Sequence, residues 1–125
     1  MKKLLIIPML FICSIVIGQS KKIIGKPIKI ENLEVAQYDF LEKMNLFDAK
    51  AACTRLGKDW RLPTKDELNV MYKNKDKIGG FANGYYWSST EDGYDYAWKQ
   101  TFNNGLEGYN GSRDYFCNVR AVRTF

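Results

Sequence analysis

The chain has no histidine, and that absence removes Ser-His and Cys-His nucleophilic machinery and most zinc sites. Like charges never gather into a block of more than a few residues. Acidic and basic side chains are interleaved, so the formal charge of +5 describes a mixed, solvated surface and not a nucleic-acid footprint. The one long apolar run, Leu4 to Ile17, is too short to span a bilayer. Behind Met1-Lys2-Lys3 and ahead of the small residues Gly18 and Ser20, it has the layout of a cleaved secretory leader. Ile12 before Cys13 is bulky and the run continues past it, which argues against lipidation at Cys13. We therefore expect a leader over residues 1–18, a short polar lead-in over 19–26, and one domain over 27–125. The exported chain is expected to be secreted or periplasmic, with its charge reduced by Lys2 and Lys3 to +3.

Cysteine is scarce too. With Cys13 gone, Cys53 and Cys117 remain, and in an exported protein a disulfide between them is the default. It would stabilise by about 4 kcal/mol on the chain-entropy model, tying the first helix to the last strand. What is abundant is apolar and aromatic side chain, 46% and 14% of the 125 residues, enough for one compact domain with a real core.

The organising stretch runs from Asp59 to Leu68. Trp60 and Leu62 flank Arg61 as apolar anchors, Pro63 holds Leu62 extended, and Thr64 with Glu67 forms a capping box that starts a helix. Before it, Pro27 to Ile30 and Leu33 to Ala36 alternate as half-buried strands, and Asn45 caps a helix carrying Leu46, Ala49, Cys53 and Leu56 to a stop at Gly57. After it, Leu68, Met71 and Tyr72 line one helix face, which ends in a lysine-rich stretch and Gly79-Gly80. From Phe81 the pattern changes. Asn83-Gly84, Asp92-Gly93, Asn104-Gly105 and Asn110-Gly111 punctuate aromatic-rich segments, predicting an antiparallel meander with strands at Tyr85 to Thr90, Tyr96 to Phe102 and Phe116 to Arg123. The fold class is α+β, two helices packed against a small antiparallel sheet.

Trp60, Arg61, Leu62, Pro63, Thr64 and Glu67, then Trp87-Ser88-Ser89-Thr90, Ala97-Trp98 and Val119 to Arg123, resemble the Lcl C-terminal domain family, named after a bacterial collagen-like adhesin. The resemblance covers roughly Ile28 to Phe125 and implies a C-type lectin-like domain, in which a disulfide commonly joins the first helix to the last strand. Some members carry a cysteine in the terminal motif where this chain has Ala121. The Glu-Pro-Asn, Gln-Pro-Asp and Trp-Asn-Asp signatures of calcium-dependent sugar binding are absent, as is the redox cysteine pair of the formylglycine-generating enzymes. Neither property carries over.

Trp60 to Thr64, Glu67, Trp87 and Trp98 are read as structural. Candidate ligand contacts lie in the loop-rich stretch Glu91 to Tyr115: Tyr94, Tyr96, Asn103, Asn104, Glu107, Tyr109, Asn110, Arg113 and Tyr115, a Tyr, Asn and Arg mixture suited to adaptable recognition. Glu91, Asp92 and Asp95 could form a glycosidase pair or a weak calcium site, but ordinary turn acids explain them better. The expectation is an exported, non-enzymatic binding domain without a cofactor, for a glycan or cell-surface polymer. A protein-binding or structural role in the envelope is the alternative.

Overall fold

The computed structural model describes residues 22–93 and 96–125, and the side chains of residues 109–111 lie outside that description. The leader, Tyr94, Asp95 and the side chains of Tyr109 and Asn110 therefore fall outside the described residues. The chain enters through Ile23, which is buried in the core although it belongs to the expected lead-in. Strands β1 (Ile28–Ile30) and β2 (Leu33–Val35) form a hairpin in the register Ile28↔Val35, Lys29↔Glu34 and Ile30↔Leu33. Helix α1 (Leu46–Arg55) starts where the Asn45 side chain accepts from the Asp48 N–H at 2.8 Å, and it buries Leu46, Ala49 and Cys53. Helix α2 (Lys65–Lys73) starts with the complete capping box: Glu67 N–H donates to Thr64 Oγ1 at 3.2 Å and Thr64 N–H to Glu67 Oε1 at 2.8 Å. The lysine-rich stretch breaks at Asn74 into a single turn, α3 (Lys75–Ile78). No helix among the described residues is long and apolar enough to cross a membrane.

The expected single sheet is two. Strand β2 pairs on its other side with β6 (Val122–Thr124), giving the order β1-β2-β6. The second sheet holds β3 (Tyr85–Glu91), β4 (Tyr96–Thr101) and β5 (Glu107–Ser112) in the order β3-β4-β5. Two turn predictions give way here. Asn110-Gly111 lies inside β5 instead of turning the chain, and Gly84 leads into β3 without the positive φ of a tight hairpin. The long final strand also shrinks, because residues 117–121 divide their backbone bonds between different neighbours. Asn118 N–H donates to Tyr85 O and its carbonyl accepts from Trp87 N–H, whereas Val119 O and Ala121 O accept from Phe40 and Ala36. A segment that serves both sheets cannot stay in one ladder, and it is buried on both sides.

Arg120 completes that stitching. It is 1% exposed, and its guanidinium donates to Asp39 Oδ1 at 2.6 Å, Ala36 O at 3.1 Å and Gly79 O at 3.1 Å, with the Phe81 ring centroid 4.1 Å away. Asp39 Oδ2 accepts from the Tyr86 hydroxyl at 2.5 Å, and that hydroxyl accepts from Ala82 N–H at 2.7 Å. A buried charge needs this density of partners, since an unpaired one is costly. The Asp59 to Leu68 link is fastened separately. Arg61 exchanges backbone bonds with Val122 at 2.9 Å each way, and its side chain reaches both Glu67 oxygens at 2.7 and 3.0 Å and Thr124 Oγ1 at 2.7 Å.

One expectation is corrected. Cys53 and Cys117 are free thiols, both buried, in the core cluster that also holds Trp60, Leu62, Trp87 and Val119. They pack there as small apolar side chains.

Two stability outcomes follow from these bonds. Arg120→Met leaves Asp39 buried without its cation and should destabilise by about 3–5 kcal/mol in urea unfolding, and adding Asp39→Asn should cost less than the two changes summed. For Glu67, burial opposes ionisation, but donors from Arg61 and Thr64 outweigh it and hold the carboxyl below its ordinary 4.5. The lowered value means the stabilisation is full above pH 4.5 and fades as pH falls through the folded value. Glu67→Gln should therefore cost about 1 kcal/mol at neutral pH, with the gap between variant and parent narrowing in acid.

Candidate functional site

The residues singled out between Glu91 and Tyr115 do not share one surface point. Strand β4 separates them: Tyr96 and its partner Ser112 stand at one end, Thr101 and the turn into β5 at the other, about 17 Å apart across the strand. At the turn end Asn103 N–H donates to Thr101 Oγ1 at 3.3 Å, and Asn104 Oδ1 accepts from Leu106 N–H at 3.0 Å. Both asparagines thus shape the hairpin. Gly105 is required there. Its φ is +83°, and a Cβ would lie 2.4 Å from the Tyr72 ring. Glu107 pairs with Lys65 at 3.5 Å, and Lys65 Nζ sits 3.6 Å from the Trp98 ring centroid. At the other end Arg113 and Lys50 converge on Glu91, the latter at 3.6 Å. The Asn104, Glu107 and Arg113 side chains, expected to meet a ligand, are already engaged within the fold.

Tyr115 is different, and it leads to a cluster that the sequence did not disclose. The Met44↔Cys117 bridge and the bond from Leu46 N–H to Arg113 O lay residues 113–117 beside the start of α1. In β3-β4 the pairs Tyr85↔Thr101 and Trp87↔Lys99 put Lys99 diagonal to Tyr85 on one face. The result is a cation held between two rings: Lys99 Nζ lies 4.1 Å from the Tyr85 centroid and 4.6 Å from that of Tyr115. Tyr85 is 40% exposed and Tyr115 55%. No carboxylate among the described residues pairs with Lys99. Phe116, next to Tyr115 in the chain, is exposed, as are Phe47 in the first turn of α1 and Leu41 ahead of it. Tyr115 was legible as a candidate. Its two companions were not, because nothing local to Tyr85 or Lys99 signals a partner thirty and sixteen residues further along.

The chemistry elsewhere is quiet. Burial pushes the Cys53 thiol up to about 12 and that of Cys117 up to about 11, the latter against the pull of Lys99 and Lys43, so neither is a poised nucleophile. Glu91, weighed with Asp92 and Asp95 as a carboxylate pair or calcium site but read as an ordinary turn acid, pairs with two cations, Lys50 and Arg113. Among the described residues no group of three or more Cys, Asp or Glu is arranged to hold a metal ion. An open groove of about 330 Å³ runs between α3 and residues 79–83, lined by Lys75, Asp76, Phe81 and Phe102 among others. Its walls carry no acid–base pair in hydrogen-bond reach of one another.

Comparison with known proteins gives a family and a fold. The sequence model described as the Lcl C-terminal domain matches residues 27–123. No curated protein matches at the sequence level. Among solved structures the fold is similar to EMS16, described as an antagonist of the collagen receptor integrin alpha2beta1, with a TM-score of 0.61 at 10% identity, covering 81% of this chain and 98% of that one. It is also similar to botrocetin, with a TM-score of 0.59 at 14% identity and the same coverage. A third neighbour is a complex of botrocetin with the von Willebrand factor A1 domain, at a TM-score of 0.55 and 13% identity. These are C-type lectin-like domains, and the likeness fixes the α+β fold of this chain.

The thiol environment makes a direct forecast. Iodoacetamide at pH 8 should leave Cys53 and Cys117 almost unlabelled in the folded protein and modify both in denaturant without prior reduction, read by intact mass.

Proposed function

The chain belongs to the Lcl C-terminal domain family, matched across residues 27–123, and on that premise we propose that it is an exported, non-enzymatic binding domain. Its target is a glycan or another extracellular or cell-surface polymer. The observation that carries the reading is the Tyr85, Lys99 and Tyr115 cluster, a cation between two exposed rings. Large aromatic side chains left in water on a rigid sheet are what recognition surfaces use, because ring area is gained there at small entropy cost. The reading invokes no cofactor, and calcium enters only as a variable of the test.

A protein partner in the envelope or outside the cell is the second reading. It is favoured by the exposure of Leu41 at 87%, Phe47 at 79% and Phe116 at 65%, since fully apolar side chains suit a protein surface better than a hydroxyl-covered sugar. EMS16 and botrocetin, both named for dealings with extracellular proteins, lend this reading the support of a shared fold.

The exported chain should give saturable, salt-tolerant binding to a member of a glycan array or of a panel of extracellular proteins, with and without calcium. Replacing Tyr115 and Phe116 together by Ala should weaken that binding by about 30-fold, the scale of a hot-spot pair, while leaving the melting temperature nearly unchanged. Silence across both panels, or binding indifferent to the double replacement, would count against this surface.

A further inference from the structure

We propose that the groove between α3 and residues 79–83 seats one neutral sugar ring without a metal ion. It shares no lining residue with the Tyr85, Lys99 and Tyr115 cluster, so it is a second contact point. The proposal rests on the glycan reading of the domain and narrows it to an uncharged sugar at a stated place.

The wall has the chemistry that hydroxyl groups need. Its volume, about 330 Å³, lies at the small end of the range that ligand pockets occupy, about 300–1,000 Å³, which suits a single ring. The lining carries one ammonium, Lys75, and one carboxylate, Asp76. Their charges cancel, so the groove offers little to a strongly charged ligand. Asp76 and the lining amide Asn83 are exposed, and neither side chain has a hydrogen-bond or ion-pair partner among the described residues. Lys75 spends one of its three donors on Phe102 O at 3.3 Å. A carboxylate accepts, an ammonium donates and an amide does both, and each sugar hydroxyl is itself donor and acceptor. Half-buried Phe81 adds apolar ring surface for the C–H groups of the sugar. A bridging calcium ion would take about 6–8 oxygen ligands, and the single carboxylate of this wall is no such set.

The loop that makes the other wall is already held in shape. Arg120 Nη2 donates to Gly79 O at 3.1 Å, and at Gly80, where φ is +76°, a Cβ would come within 3.2 Å of that same nitrogen. Further along, Ala82 N–H donates to the Tyr86 hydroxyl at 2.7 Å, and Gly84 O accepts from Phe102 N–H at 2.8 Å. Between these fastenings the backbone N–H groups of Gly80, Phe81 and Asn83 have no acceptor among the described residues. A loop fixed by the buried arginine thus keeps donors for oxygens from outside the chain, and little ordering remains to be done on binding.

The test is titration of the nitrogen-labelled exported chain, in EDTA, with the methyl glycosides of glucose, galactose, mannose and N-acetylglucosamine, read by proton–nitrogen correlation spectra. At least one glycoside should shift the Gly80, Phe81 and Asn83 amides saturably, with a Kd on the order of 1 mM. Asp76→Ala and Asn83→Ala, both at exposed sites, should each weaken it about tenfold. Asp66→Ala, exposed in the first turn of α2, should leave it unchanged, and melting curves of every variant check the fold. Methyl glucuronide should bind no more tightly than methyl glucoside. Tighter binding of the glucuronide overturns the neutral class, and binding that appears only when calcium replaces EDTA overturns the metal-free seat. Equal affinity for both variants, or shifts confined to Tyr85, Lys99 and Tyr115, overturns the groove while leaving the glycan reading. So does silence toward every glycoside combined with array binding that falls when Tyr115 and Phe116 are replaced. Silence toward the glycosides and across the glycan array together overturns this proposal and the glycan reading with it.

Discussion

The ion pair between Arg120 and Asp39 is the constraint on which the rest of the architecture depends. It joins four pieces of chain that are remote in sequence: the segment after β2, the loop after α3, Tyr86 of β3, and the return strand itself. The described strands form two three-stranded sheets. Their union needs a segment whose backbone bonds go both ways, and residues 117–121 provide it. A purely apolar side chain at 120 could fill the volume but would leave Ala36 O, Gly79 O and Asp39 without their donor. The buried arginine therefore specifies which segments meet, in addition to whatever stability it contributes.

The second fastening, from Arg61 to Glu67, Thr124 and Val122, has a different task. It fixes the start of α2 against the end of β6, so that Leu68 and Met71 enter the core beside Tyr86 and Phe102. Ser89 N–H bonds Pro63 O at 2.7 Å and Lys65 N–H bonds Thr90 Oγ1 at 2.9 Å, which carries the same link across to β3. With β3 held along its whole length, the residues at its start can be spared from packing. Tyr85 is such a residue, exposed while its neighbour Tyr86 is wholly buried.

Local chemistry made the helices legible. The Asn45 cap, the Thr64 and Glu67 box and the stop at Gly57 are each decided within a few residues, and each is found where those residues predict it. The sheet was legible only in part, because pairing depends on partners far away. Asn110-Gly111 has turn chemistry, yet β4 captures it as strand. Residues 116–121 alternate like a strand, yet two sheets compete for their carbonyls. The bridge expected at Cys53 and Cys117 was inferred from compartment and from a family resemblance, neither of which acts on the geometry of this packed core. The candidate surface was half legible for the same reason. Tyr115 stood out by composition, whereas Lys99 gained its meaning from strand register and Tyr85 from exposure.

Arg120 and Lys99 show how one interaction yields two roles. Each cation lies about 4.1 Å from an aromatic centroid, so the ring contact by itself does not distinguish them. The difference is in what else surrounds the charge. Arg120 is planar, sealed from water and met by a carboxylate and two carbonyls, so each of its three nitrogens is bonded within the fold. Lys99 is a compact ammonium between two exposed rings, with no carboxylate among the described residues. Rings attract a cation but accept little of its hydrogen-bonding capacity, and an ammonium has three donors to satisfy. The fold thus consumes the charge it buries and leaves available the charge it merely positions.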